Sequence, residues 1–142
     1  MKESTYAAVD TLITRYPALA ACAADVRAAV EALVDSYRAG GKLIVCGNGG
    51  SASDAEHIVG ELMKGFLLPR HLGEDLLEKL HETCDVIDPR TVDYFMQNLQ
   101  GALPAISLPS QLAISTAFSN DQAPDLTFAQ QVLGLGKPED VL

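Results

Sequence analysis

His57 and Glu61 stand four residues apart in the stretch KLIVCGNGGSASDAEHIVGEL, residues 42 to 62. A carboxylate with an imidazole one helical turn away can exchange protons with a substrate or give two donors to a metal ion. Just before them Gly47, Gly49 and Gly50 strip a turn of side chains, while Asn48, Ser51 and Ser53 set neutral polar groups at its edge. At about 100° per helical residue, Asp54, His57 and Glu61 share a sector of roughly 60°, set apart from the apolar face. They are placed to line a crevice beside the turn. The competing reading is an ordinary surface pair, worth a few tenths of a kcal/mol to the helix.

The elements that must position these groups are legible on either side. Leu43 to Cys46 is a short apolar run flanked by glycines, the pattern of a strand buried on both faces of a parallel sheet. The helix after the turn is expected from about Ala52 to Leu67, with Ala55, Ile58, Val59, Leu62 and Phe66 buried. Ser51-x-x-Asp54 and Ser53-x-x-Glu56 both fit a capping box, so its register stays ambiguous. Strand, turn and helix together present backbone N–H groups at the positive end of a helix dipole, which suits a phosphate; a tight turn filled by water is the alternative. A nucleoside-triphosphate loop is excluded because its lysine is missing. Gly47-x-Gly49-x-x-Ala52 meets the loose dinucleotide pattern, but no acid follows about 20 residues on in a strand context.

Elsewhere the pattern is mostly helical. Tyr6, Val9, Ile13 and Tyr16 form one stripe, and after Pro17 it resumes through Leu19, Cys22, Val26, Val30, Leu33 and Tyr37, giving a long helix from Ala18 to Ala39 closed by Gly40-Gly41. Its many alanines allow close helix approach, so residues 1–39 are expected to be an oligomerisation segment. Residues 69–101 are expected to form a helical insertion, with one short helix around Leu72, Leu76, Leu77 and Leu80. A second is capped by Asp88 with Pro89 at its first position and Val92, Phe95, Met96 and Leu99 inside. Ala105 to Leu108 is a second strand candidate, Ser110 and Asp125 are expected helix caps, and KPEDVL at residues 137–142 reads as the lead-in to a third strand. The parallel sheet is thus expected to be incomplete in this chain.

With 142 residues, 48% of them hydrophobic, the chain is sized for a single domain, 1–142. Ten basic against nineteen acidic residues give a charge of -9, which argues against nucleic acid and anionic membranes as partners. Cys22, Cys46 and Cys84 are odd in number and widely spaced. With Cys22 and Cys46 on expected core faces, they point to reduced thiols in a cytoplasmic setting. MKESTYAAVD lacks the apolar stretch of a secretory leader and no apolar run reaches 18 residues, so a soluble, untargeted chain is expected. His71 and His81 are expected to face solvent, leaving His57 and Glu61 as a two-donor set that needs further ligands to hold zinc.

The stretch GKLIVCGNGGSASDAEHIVGELMKGF, residues 41 to 66, closely resembles the opening of the sugar isomerase (SIS) domain of bacterial sedoheptulose 7-phosphate isomerases, also called phosphoheptose isomerases. LPAISLPSQLAISTAFSNDQAPDLTFAQQVLGLGKPEDVL resembles the same family's second strand, next helix and approach to strand three. The resemblance implies a three-layer α/β/α flavodoxin-like fold with a parallel sheet, preceded by a long N-terminal helix. It implies a homo-oligomer, a tetramer in the family, with sites between subunits. The implied activity interconverts sedoheptulose 7-phosphate and a glycero-manno-heptose 7-phosphate through an enediol, for envelope heptose synthesis.

By position the resemblance makes Glu61 the catalytic base. Asn48, Gly49, Gly50, Ser51, Ser53 and Asp121 become substrate-binding residues for a phosphorylated sugar, and His57 with Glu61 part of a zinc site found in some members. The family's serine- and threonine-rich loop after strand three, and a later glutamine and histidine, have no counterpart before Leu142, so little isomerase activity is expected of these residues alone. The alternative function is a non-catalytic SIS-domain module that binds sugar phosphates or acts as an oligomeric adaptor.

Overall fold

The computed structural model of the chain describes residues 3–83 and 88–142. Cys84 lies outside the described residues, as do the side chains of Leu77, Leu80 and His81. Helix α1 (Glu3–Arg15) and helix α2 (Ala23–Arg38) are joined by a 3-10 turn at Pro17–Cys22. The long N-terminal helix is therefore present but interrupted, and the expected continuous helix from Ala18 begins as regular α structure only at Ala23. Pro17 has no N–H to give the preceding turn, and the chain reverses there. Tyr6 Oη donates to Glu31 Oε1 at 3.1 Å and Arg27 pairs with Asp10, so the two helices run antiparallel.

Helix α2 ends as its glycines suggest. Gly40 takes φ 82°, its N–H donates to the carbonyl of Tyr37 at 3.2 Å, and that of Gly41 donates to Ser36 at 2.9 Å. These are the two bonds of a Schellman cap.

Strand β1 (Leu43–Val45) then leads into helix α3 (Gly50–Met63), helix α4 (Glu74–Thr83) and helix α5 (Pro89–Asn98). Strand β2 (Ala105–Ser107), helix α6 (Leu112–Asp121), a 3-10 turn at Pro124–Leu126 and helix α7 (Thr127–Leu135) complete the order. The strands pair in parallel, Leu43 with Ala105, Ile44 with Ile106 and Val45 with Ser107. On the other edge of β1, Val141 makes a parallel bridge to Leu43. Its N–H donates to Lys42 O at 3.0 Å and its carbonyl accepts from Ile44 N at 2.8 Å. KPEDVL does lead into a third parallel position, with β1 central, and the architecture is an α/β fold whose parallel sheet is flanked by helices.

Ile44 and Leu108, the largest fully covered side chains, lie at the heart of this sheet, with Ala55 of α3 buried beside them. Several expected core positions are not covered. Ile58 is exposed and Phe66 is 75% exposed, because α3 stops at Met63 and Phe66 falls beyond the helical stripe. Cys46 is exposed as well, since the β1 edge beside it is paired only as far as Val141. Among the expected caps, Asp88 does accept from Arg90 N, but Gln111 rather than Ser110 precedes α6, and Ser110 donates to Glu56 Oε1 at 3.0 Å instead. Asp125 lies inside the 3-10 turn before α7 and caps nothing.

Arg70 closes the base of the 69–101 segment. Its Nε donates to Gly101 O at 2.8 Å, a terminal nitrogen donates to the carbonyls of Glu61 and Leu62, and Gly101 N returns a bond to Arg70 O at 2.8 Å. Gln100 Oε1 accepts from Gly65 N at 2.8 Å. The helical pair α4 and α5 leaves and rejoins the sheet through one hydrogen-bonded neck, which also satisfies carbonyls at the C-terminus of α3.

A second bracket fixes the third strand position. Asp140 accepts from Lys42 N at 2.9 Å, from Lys137 N at 2.8 Å and from Lys42 Nζ. The hydrogen bond from the Lys42 side chain, with help from those two amides, holds the Asp140 carboxyl below its usual range. A carboxyl that ionises more easily in the folded state contributes fully above about pH 4, its unfolded value, and loses that contribution as pH falls through the lower folded one. Thermal unfolding followed by circular dichroism should show the parent losing more stability between pH 6 and pH 3 than Asp140→Asn does; equal acid sensitivity would deny the bracket this role.

Candidate functional site

The turn after β1 is shaped by its glycines. A Cβ on Gly47 would lie 2.6 Å from the backbone oxygen of Ser51, so any side chain there pushes the start of α3 away. Gly49 adopts φ 57° and ψ -124°, a conformation open essentially to glycine alone, and serves as the N-cap of α3. This overturns both capping-box registers: α3 begins at Gly50, and neither Ser51 nor Ser53 caps it through its side chain. Backbone handedness at Gly49 already sets the entry angle, leaving both serines as exposed residues of the first turns.

Of the backbone N–H groups at this turn, those of Ser51 and Ala52 are taken within the chain. Ser51 N donates to Asn48 O and Ala52 N to Gly49 O, each at 3.1 Å. Among the described residues no acceptor takes the N–H of Gly49 or Gly50. A Cβ added at either glycine would meet nothing within 4 Å, so neither glycine is required by crowding at its own side-chain position.

Asn48 and Gly49 line a cavity of about 390 Å³, closed on its far side by Ser115, Ser119, Asp125 and Thr127 from α6, α7 and the turn between them. It lies past the C-terminal ends of β1 and β2, where open parallel sheets ordinarily receive their ligands. Ser115, Ser119 and Thr127 escaped the sequence reading, which took Asp125 only as a helix cap. Ser115 and Ser119 carried a usable signal, since hydroxyls four apart share one helix face. Gly50, Ser51 and Ser53 flank this cavity along the chain without lining it, and Asp121 is exposed at the end of α6, accepting from Asn120 Nδ2 at 2.7 Å.

His57 and Glu61 do come together, in a different concavity. With Asp54, Ile58 and Leu62 they line a mostly apolar hollow of about 680 Å³ on the flank of α3. Glu61 Oε1 lies 3.6 Å from His57 Nε2 and 3.7 Å from Lys64 Nζ, beyond hydrogen-bonding distance. Glu61 Oε2 is buried and has no partner. The carboxylate is 32% exposed, whereas the imidazole is 79% exposed. A buried oxygen with unused acceptor capacity is costly to keep unless something supplies a proton or a cation to it. Eleven residues of helix, about 16 Å at 1.5 Å each, separate Gly50 from Glu61. Within one copy, then, the turn and the carboxylate open into two separate hollows, not the single pocket that their closeness in sequence suggests.

Residues 7–84 match the family model described as SIS domain. The chain belongs to the SIS domain family. Among curated SIS-domain relatives, a phosphoheptose isomerase of Roseiflexus sp. (strain RS-1) is 35% identical over 132 residues, which is 93% of this chain and 48% of that protein. One of Synechocystis sp. is 36% identical over 118 residues, 80% of this chain and 45% of that protein. The chain spans about half the length of the curated relatives it matches. A phosphoheptose isomerase structure from Neisseria gonorrhoeae superimposes with a TM-score of 0.58 at 22% identity, covering 98% of this chain and 53% of that one. A second, from Francisella tularensis, gives 0.55 at 24% identity over 94% of this chain. These two likenesses establish the fold.

Proposed function

We propose that this SIS domain belongs to a sugar-phosphate isomerase that interconverts sedoheptulose 7-phosphate and D-glycero-D-manno-heptose 7-phosphate. The observation that carries the reading is Glu61: a carboxylate with one oxygen buried and unpartnered, on the helix whose N-terminal turn leaves the Gly49 and Gly50 amides free. Glu61 takes the proton from the carbon beside the carbonyl, and the released electron pair forms the enediol double bond as the carbonyl oxygen gains a proton. Return of a proton to the former carbonyl carbon, with loss of the O–H proton from the other enediol carbon to form the new carbonyl, completes the aldose–ketose exchange. The names of the curated relatives support the substrate class.

Because the two hollows are separate in one copy, the proposed site is shared between copies, with Glu61 of one subunit facing the glycine turn of another. The exposed surface supports assembly. The chain presents 10056 Å² at 15.1 kDa, against about 7,100 Å² for a compact monomer of that mass. Phe66, Leu67 and Leu68 are 75%, 82% and 79% exposed, and a homotetramer, as the sequence resemblance implies, covers such surface. No helix among the described residues is long and apolar enough to cross a membrane, and a cytoplasmic setting fits a phosphorylated substrate.

Zinc is the metal the family likeness brings to mind. His57 and Glu61 furnish two of the three or four donors it takes, and among the described residues no group of three or more His, Cys, Asp or Glu assembles. The pair would supply half of such a site, with the remaining donors coming from a neighbouring copy. The proposal is tested by incubating the protein with sedoheptulose 7-phosphate in D2O. Deuterium should enter beside the carbonyl faster than in buffer, as read by proton NMR; incorporation at the buffer rate would refute it.

A further inference from the structure

Helix α3 ends without the usual provision for its last carbonyls. Its final backbone bond runs from Lys64 N to Gly60 O at 3.2 Å, one residue short of Glu61. The amide that would next close a helical turn, onto Glu61 O, is that of Gly65, and it donates to Gln100 Oε1 instead. Lys64 is extended, with φ -136° and ψ 159°, so no left-handed cap forms there. Gly60, beside the proposed base, has open space where a Cβ would stand, and a glycine within a helix costs about 1 kcal/mol relative to alanine. Left to itself, the turn that carries Glu61 would fray.

Arg70 supplies what the helix lacks. A terminal nitrogen donates to Glu61 O at 3.3 Å and also to Leu62 O, while Nε donates to Gly101 O at 2.8 Å. Among the described residues, the guanidinium is the donor that Glu61 O receives. Its planar fork fixes the direction of these bonds. The grip is anchored at Gly101, on the far end of the 69–101 segment, and it acts on the backbone of the residue that bears the carboxylate.

We propose that Arg70 is a positioning residue for the proton transfer: by bonding the carbonyls of Glu61 and Leu62 it holds the last turn of α3, and with it the Glu61 carboxylate, in register with the substrate. The proposal rests on the reading of Glu61 as the base. It adds that the 69–101 segment, through its Gly101 end, sets where that base stands.

The test measures deuterium incorporation against sedoheptulose 7-phosphate concentration for the parent, Arg70→Met, Arg70→Lys and Asp140→Asn. The temperature is one at which circular dichroism shows each protein folded. Misplacing a catalytic group by about 1 Å can cost about 100-fold. Arg70→Met should lower the saturating rate by about 10- to 100-fold and leave the half-saturating concentration within about twofold. Arg70→Lys keeps a cation that can reach the two carbonyls but loses the fixed fork. It should lose about three- to tenfold, and it carries the test alone if methionine prevents folding. Asp140→Asn weakens the bracket at the third strand position and controls for lost stability; it should keep the parental rate. Parental saturating rates in the folded Arg70 variants would overturn the proposal and leave Glu61 as the base. A rate loss matched by equal weakening of the substrate, or an equal loss in Asp140→Asn, would also overturn it, marking Arg70 as structural only. Absence of exchange in the parent would sink both readings.

Discussion

Glu61→Gln should abolish deuterium incorporation into sedoheptulose 7-phosphate, lowering the rate by at least about 100-fold, while sugar-phosphate affinity should stay within about threefold of the parent. The amide keeps the shape of the carboxylate and removes its basicity, and a positioned general base is worth about 10²- to 10⁴-fold. The shared-site geometry adds a second readout. Glu61→Gln and Gly49→Val proteins, each inactive alone, should recover measurable exchange when unfolded and refolded together, because mixed assemblies bring an intact turn against an intact carboxylate. Exchange that survives Glu61→Gln would remove the base; failure of the mixture to recover would confine the site to one copy.

The second large effect is on stability. Arg70→Met should cost about 2–4 kcal/mol, the range for losing charged hydrogen bonds and stranding part-buried carbonyls. For a chain of this length that is a fall in melting temperature of roughly 5–15 °C. The residue joins Gly101 to the carbonyls of Glu61 and Leu62, so methionine keeps the aliphatic stem and removes the guanidinium bonds at the neck, leaving those from Gly101 N to Arg70 O and from Gly65 N to Gln100. Hydrogen exchange should rise at Gly101 and Leu103, whose amides are held there by Arg70 O and Leu62 O. A melting temperature within about 2 °C of the parent would show that the neck is held by other contacts.

Strand, turn and helix could be read from residues 42 to 62 because their signals are local: an apolar run, three glycines, and a periodic helix. The helix bounds could not. Ser51 and Ser53 look like caps in one dimension, but the positive φ of Gly49 has already begun the helix. Phe66 continues the apolar stripe on paper, but α3 ends at Met63, where Arg70, far along the loop, satisfies its last carbonyls. Long-range hydrogen bonds of that kind leave no periodic trace. The site divided in the same way. Asn48, Gly49, His57 and Glu61 announced themselves by type and spacing, while the wall of Ser115, Ser119 and Thr127 depends on α6 and α7 folding back over the turn. Spacing also hid the distance between the two hollows, since neighbours in sequence lie far apart once a helix is drawn out to its full length.

The neck at Arg70 and Gly101 has a consequence for how this protein can change. Those two residues already meet, so the sheet registers nothing of what the chain does between them beyond a closure entropy that grows only with the logarithm of loop length. Exchanging the segment that carries α4 and α5 for a short turn should therefore leave Ile44 paired with Ile106, much as a graft can be changed without replacing its rootstock.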